Sequence, residues 1–201
     1  MVITIGRQYA GGGRDVAGRL GEIFGLDVYD KNLLSAAAAE SGISAQHFIE
    51  ADEQTRYARA TRWLSSHVPL FFGTYGGNQG LTNQALFQLQ SDAIRQIAEK
   101  GGCIFIGRCA DYILRDREDL VSVFISSDEN ERVERVMQTE GVDEDKALKI
   151  IKNMDRQRAQ YYNFYTEKTW GAASSYDLCV NSSLLGTAKT ADFIAEFIKD
   201  R

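Results

Sequence analysis

The chain opens with an apolar run, "VITI", passes through "GRQYAGGG" and continues into "RDVAGRL". A strand that enters a glycine cluster and leaves it as a helix, at the very start of a chain, admits few folds. Glycines let the backbone wrap closely around an anion and take positive φ angles. The helix after them aims unpaired N–H groups at the same place. The rest of the chain repeats the alternation. "LDVYD", "CIFIG", "LVSVFIS" and "YDLCVNS" read as further strands. Between and after them, helices are expected over 15–24, 31–41, 45–64, from 83 or 84 to about 100, from a Ser127 or Asp128 cap onwards, over 143–166 and over 187–199. Strands alternating with helices imply a parallel sheet covered on both faces, the α/β class. Ligands of such sheets bind outside the carboxyl ends of the strands. Gly6, Asp30, Gly107-Arg108 and Asn181-Ser182 all fall at predicted strand ends.

Bulk properties narrow the function. The 201 residues suffice for one domain with a real core. A net charge of −5 argues against a grip on polymeric nucleic acid. No apolar stretch approaches the roughly 20 residues that cross a bilayer, and no basic region precedes the first strand, so we expect a cytoplasmic protein without membrane contact. Cys103, Cys109 and Cys179 are odd in number and lack metal-ligand spacing; Cys103 and Cys179 are expected in the core. His47 and His67 lack catalytic partners at suggestive positions. Residues 69–83, "PLFFGTYGGNQGLTN", form either a functional loop or a long connection.

A standard phosphate loop reads G-x-x-x-x-G-K-[ST], with lysine on the β and γ phosphates and a hydroxyl on magnesium. Gly6 and Gly11 keep the first spacing, but Gly12 and Gly13 stand where lysine and serine belong. The dinucleotide pattern G-x-G-x-x-G fails as well, because Val16 stands at its third glycine. A bare glycine turn would explain "GGG" alone; the strand before it and the helix after it favour a phosphate loop.

Six stretches carry a resemblance: "ITIGRQYAGGGRDVA", "YDKNLL", "IFIGRCADYIL", "VFIS…ERVERV", "MDRQRAQYY" and "YDLCVNSS", in that order. Together they resemble the cytidylate kinase-like proteins, a divergent branch of the P-loop nucleoside monophosphate kinases. The resemblance covers most of the chain. It implies a three-layer P-loop NTPase-type parallel sheet, a helical lid and a helical monophosphate-binding insertion. The whole of 1–201 is then one kinase-like domain, with core 1–42, 84–127 and 176–201, insertion 43–83 and lid region 128–168.

The resemblance also implies ATP- and Mg2+-dependent transfer of the γ-phosphoryl group to a nucleoside monophosphate, CMP or dCMP. In true cytidylate kinases the loop ends in Gly-Lys-Gly-Thr. Registered on the following helix, the lysine falls on Gly13 and the threonine on Asp15, with Arg14 between them. On this reading the backbone of Gly6, Arg7, Gln8, Tyr9, Ala10, Gly11, Gly12 and Gly13 cradles phosphates. Arg14 takes over the lysine's charge and Asp15 holds magnesium. Gly107-Arg108 matches a Gly-Arg-Asp triplet at the monophosphate site. Cys109 replaces the aspartate, and Asp111 follows two places on. Arg108, Asp111 and Asp30 are therefore candidates for the acceptor. Asp155 and Arg158 resemble the Asp-x-x-Arg that reads cytosine, and at i and i+3 they share a helix face. Arg132 and Arg135 either close over the reaction or are solvated helix arginines. Tyr161, Tyr162 and Tyr165 are expected as lid packing. Two alternatives stay open: a kinase for another small-molecule acceptor, and a non-catalytic nucleotide-binding sensor.

Overall fold

A computed structural model describes residues 1–30 and 83–201. The helices expected over 31–41 and 45–64, the loop 69–83 except for its last residue, His47 and His67 lie outside the described residues. The chain divides into two compact units, Met1–Tyr29 with Lys100–Arg201, and Asp30–Glu99.

The first unit is built on five parallel strands: β1 (Val2–Arg7), β2 (Asp27–Tyr29), β3 (Cys103–Ile106), β4 (Leu120–Ser126) and β5 (Leu178–Asn181), in the order β2-β3-β1-β4-β5. Continuous apolar runs make the central strands. Val2, Ile3 and Ile5 of β1 and Val123 and Ile125 of β4 are fully buried, as a parallel strand covered on both faces requires. The β1–β3 ladder ends at Ile5↔Ile106, whereas the β1–β4 ladder continues to Arg7↔Ile125. Beyond Ile106 the chain turns away, with the Gly107 N–H donating to the Ile5 carbonyl at 3.0 Å.

Helix α1 (Gly13–Phe24) lays Val16, Ala17 and Leu20 into the core. It stops at Gly25, whose φ of 64° is the left-handed conformation that closes helices. The last helix of the chain, Gly186–Lys199, supplies Ala191, Ile194, Ala195 and Ile198 to the same core.

Helix α2 (Asn83–Lys100), all but the last residue of which belongs to the second unit, has buried Ala93, Ile94, Ile97 and Ala98 at helical spacing. A one-turn helix, α3 (Ala110–Ile113), follows β3. Helices α4 (Glu129–Glu140) and α5 (Glu144–Thr166) follow β4 and pack together through Val133, Val136, Ala147, Ile151 and Met154. Asp143 caps α5 by accepting from the Lys146 N–H at 2.9 Å. The expected cap of α4 differs. Asp128 holds the N-cap place, but its carboxylate accepts from Asn181 Nδ2 at 2.8 Å and makes no capping bond. A 3-10 turn (Ala173–Ser175) leads into β5, and Gly186–Lys199 is α6.

Cys103 and Cys109 are buried. Cys179 is exposed, contrary to the expected core placement, because β5 is an edge strand with only one neighbour.

Candidate active site

The glycine loop leaves β1 at the carboxyl edge of the sheet. Every carbonyl from residue 7 to residue 12 is engaged. Arg158 Nη1 donates to the Arg7 carbonyl at 3.0 Å and Arg132 Nε to that of Tyr9 at 2.8 Å. Arg135 Nη1 reaches the Ala10 carbonyl at 2.7 Å and Ser182 Oγ that of Gly11 at 3.0 Å. Gln8 and Gly12 accept from the N–H groups of Gly11 and Val16. Three arginines from α4 and α5 and one serine from the end of β5 thus hold the loop's oxygens outward.

The amides behave differently. Gln8 N–H continues the sheet by donating to Ile125 at 3.0 Å, and Tyr9 N–H donates to Asp155 Oδ1 at 2.7 Å. Among the described residues, no hydrogen bond uses the N–H groups of Ala10, Gly12 or Gly13. Ala10 and Gly12 have φ of 56° and 74°. Carbonyls out, amides in and left-handed residues alternating with ordinary ones make a backbone concavity that suits an anion, at the N-terminus of a 12-residue helix.

Charge surrounds this concavity. Arg132 is only 5% exposed and pairs with Asp155 Oδ2, so the solvated reading does not hold for it. The Arg158 guanidinium lies 5.5 Å from the centre of the Tyr9 ring. Burial pushes the Tyr9 hydroxyl up to about 12, and Glu140 adds to this, while Arg158 and Arg14 pull the other way. Arg14 and Arg158 therefore both lie within electrostatic reach of Tyr9. The Gln8 side chain accepts from the Ser127 N–H at 3.0 Å, tying the loop to the end of β4.

A second turn ends β3. Gly107, Arg108 and Cys109 have φ of 71°, 60° and 56° in succession. Two consecutive non-glycine residues in this region are strained, and such strain persists where the surroundings enforce it. Burial pushes the Cys109 thiol far up, with Asp111 adding to it, so it is a poor nucleophile. Asp111 accepts from the Tyr162 hydroxyl at 2.6 Å, and burial raises its carboxyl despite that bond. Tyr162 and Tyr176 stack at 5.9 Å, whereas Tyr161 and Tyr165 meet edge to face at 4.8 Å. Asp30 follows β2 directly and belongs to the other unit.

The structure therefore brings Arg7 to Gly13, Arg132, Arg135, Asp155 and Arg158 together around one loop. Arg108 and Asp111 stand at the neighbouring strand end. By sequence Ser182 is only a strand-end residue; its bond to the Gly11 carbonyl carries no sequence signal.

A glycine loop with unengaged amides, joining the first of five parallel strands to a helix, is the arrangement of a P-loop α/β fold. Over residues 2–184 the sequence matches the cytidylate kinase-like family. The chain belongs to that family. No curated protein matches it. Among solved structures, an uncharacterized protein from Eubacterium ventriosum is 30% identical, with a TM-score of 0.73 over 100% of this chain and 99% of that one. Shikimate kinase from Bacteroides thetaiotaomicron is 12% identical, with a TM-score of 0.55 over 99% of this chain and 98% of its own. Shikimate kinase from Acinetobacter baumannii, in complex with shikimate, is 9% identical, with a TM-score of 0.53 over 99% and 92%. These kinases share the fold: a P-loop α/β sheet with helices on both faces. Among the described residues, no helix is long and apolar enough to cross a membrane.

Proposed function

We propose that this cytidylate kinase-like protein transfers the γ-phosphoryl group of ATP to a nucleoside monophosphate of the cytidylate class. The observation that carries the reading is the loop, with its carbonyls from 7 to 12 held outward and the amides of Ala10, Gly12 and Gly13 left for phosphate oxygens. Phosphoryl transfer asks a protein mainly for positioning and charge neutralisation. The loop amides hold the donor's phosphates. Arg14, on the first turn of α1, adds charge beside them. Arg108, presented by the strained turn after β3, clamps the acceptor phosphate, since a guanidinium fork suits two phosphate oxygens. Arg132, Arg135 and Arg158 surround the loop and exclude water. Asp155 and Arg158 also carry the donor and acceptor groups that match a cytosine edge.

Magnesium fits this donor set. It usually takes one or two carboxylates with substrate phosphates and water, and Asp15 is an exposed carboxylate in the first turn of α1. Among the described residues, no group of three or more His, Cys, Asp or Glu could hold a metal ion. When bound, magnesium would neutralise the charge that builds on the transferring oxygens.

One observation favours a second reading, a kinase for another small acceptor. Both Asp155 oxygens are already engaged, by Tyr9 N–H and by Arg132. Asp111, buried against Tyr162, is then the carboxyl nearest in sequence to Arg108 for an acceptor hydroxyl. ADP release coupled to a panel of CMP, dCMP, UMP, AMP, GMP and shikimate separates these readings. Turnover that depends on CMP or dCMP supports the first, and turnover with shikimate alone the second. ATP binding without any acceptor-dependent turnover leaves a nucleotide sensor.

A further inference from the structure

The loop lacks a lysine, and the structure shows why one would not fit. By motif spacing the lysine position is Gly12; by register on the following helix it is Gly13. Gly12 has φ of 74°, and a Cβ there would lie 2.5 Å from Thr187 Cγ2 and 3.1 Å from Arg135 Nη1. Gly13 is a different case. It starts α1 and its φ is not in the left-handed region, so its backbone would accept any side chain. What excludes one is Arg7. A Cβ on Gly13 would lie 2.7 Å from Arg7 Cβ and 3.0 Å from Arg7 Cγ. The stem of Arg7 fills the space in which a side chain at 13 would begin.

The head of Arg7 is just as confined. A Cβ on Gly107 would fall on Arg7 Nη1 and lie 3.2 Å from Arg7 Cζ. The guanidinium thus rests over the backbone where β3 ends, having crossed from β1 past Gly13. The β1–β3 ladder has already stopped at Ile5↔Ile106, so this crossing runs over the open end of the sheet. Glycines at 13 and 107 form a corridor that only a long side chain from position 7 occupies. One end of it opens on the phosphate loop and the other on the turn that carries Arg108. Arg14, in contrast, is exposed on the first turn of α1.

We propose that Arg7 is the phosphate-contacting cation that replaces the missing lysine, placed between donor and acceptor by glycines at 13 and 107. The proposal rests on the loop binding a nucleotide's phosphates. Lysine would hold one point charge; the planar fork of Arg7 can contact oxygens on both sides of the transferred group.

The test is a charge swap, read by calorimetric titration of ATP and of inorganic tripolyphosphate at one fixed Mg2+ concentration. Arg7→Met keeps the stem in its corridor and removes the charge. It should weaken both ligands about ten- to a hundredfold, the worth of a charge-assisted contact, and more than Arg14→Ala does. Gly13→Lys alone should also weaken them, because its stem meets that of Arg7. The double variant Arg7→Gly/Gly13→Lys should bind more tightly than Arg7→Gly, because only glycine at 7 removes the Cβ that a side chain at 13 would meet at 2.7 Å and so opens the corridor to the lysine. A purely structural Arg7 predicts no such rescue. ATP affinity unchanged in Arg7→Met, or a double variant no tighter than Arg7→Gly, overturns the assignment. Wild-type protein that binds tripolyphosphate through Arg7 but not ATP would sink the kinase reading and keep Arg7.

Discussion

Replacing Asp155 by alanine perturbs the point at which the loop and the α4–α5 pair meet. Its carboxylate accepts from the Tyr9 N–H and pairs with Arg132, whose side chain is 6% exposed against 18% for Asp155. Arg132 keeps one bond, to the Tyr9 carbonyl at 2.8 Å, but its charge is left buried without a counter-ion. Breaking a buried pair from one side costs about 3–5 kcal/mol, far above the roughly 0–1 kcal/mol of an exposed pair. In a chain of this length that is a fall in Tm of about 6–20 °C, at roughly 2–4 °C per kcal/mol. Removing both charges, as Asp155→Ala/Arg132→Met, should recover much of the loss, because no ion is then stranded. The assay is urea unfolding of the four members of the cycle at constant m-value, with CMP titrated into each folded variant. A loss below about 0.5 kcal/mol for Asp155→Ala would place the pair in the exposed class and refute the reasoning. Loss of CMP preference with unchanged stability would instead make Asp155 a base reader.

Three further outcomes are expected. Gly12→Ala forces a side chain into φ of 74° and against Thr187 and Arg135; it should cost roughly 1–3 kcal/mol in unfolding free energy and weaken ATP, as urea titration and calorimetry would measure. Asp111 titrates above its ordinary value near 3.8 because of burial, so its contribution is complete below that value and is lost as pH rises through the raised one. The difference in urea midpoint between wild type and Asp111→Asn should therefore shift in favour of the variant from pH 4 to pH 8; a flat difference would contradict the burial argument. Brief alkylation followed by peptide mass spectrometry should modify Cys179 before Cys103 or Cys109, because burial raises all three thiols but only Cys179 is exposed to the reagent.

The central strands are legible because they are apolar runs bounded by glycine or polar residues, and the expected "LVSVFIS" coincides with Leu120–Ser126; the short edge strand Asp27-Val28-Tyr29 is not such a run. The one-turn helix Ala110–Ile113 was not legible, since four residues carry no periodicity and the left-handed turn before it has only one glycine. The loop itself was legible from Gly6, Gly11, Gly12 and Gly13. Its partners were not. The bonds to its carbonyls come from residues 123, 125, 151 and 171 positions away. A backbone oxygen accepts from any donor, so it leaves no mark on the sequence that says which arginine will find it. The corridor of Arg7 was hidden for a related reason: Gly13 reads as part of a flexible cluster, and only the packed structure shows a helical backbone kept bare for a neighbour's stem.

The way the arginines are bound changes what a lysine-free loop can do. A lysine places its charge directly on the phosphates. Arg132 instead donates to the Tyr9 carbonyl, whose peptide unit carries the unengaged Ala10 N–H, and Ser182 does the same for the unit that carries the Gly12 N–H; Arg135 and Arg158 hold the units whose N–H groups, of Gly11 and Gln8, bond within the fold. Each such bond polarises its peptide unit, drawing electron density towards the oxygen and making the attached N–H a stronger donor, as hydrogen-bonded chains do. The charge therefore acts through fixed dipoles that need no reorganisation when a phosphoryl group moves. A loop held in this way keeps its shape before ligand arrives, and Arg7 adds a direct charge at its edge. Removing Arg132 should then weaken every phosphate-bearing ligand together, whatever its base, because the Ala10 amide it polarises is common to all.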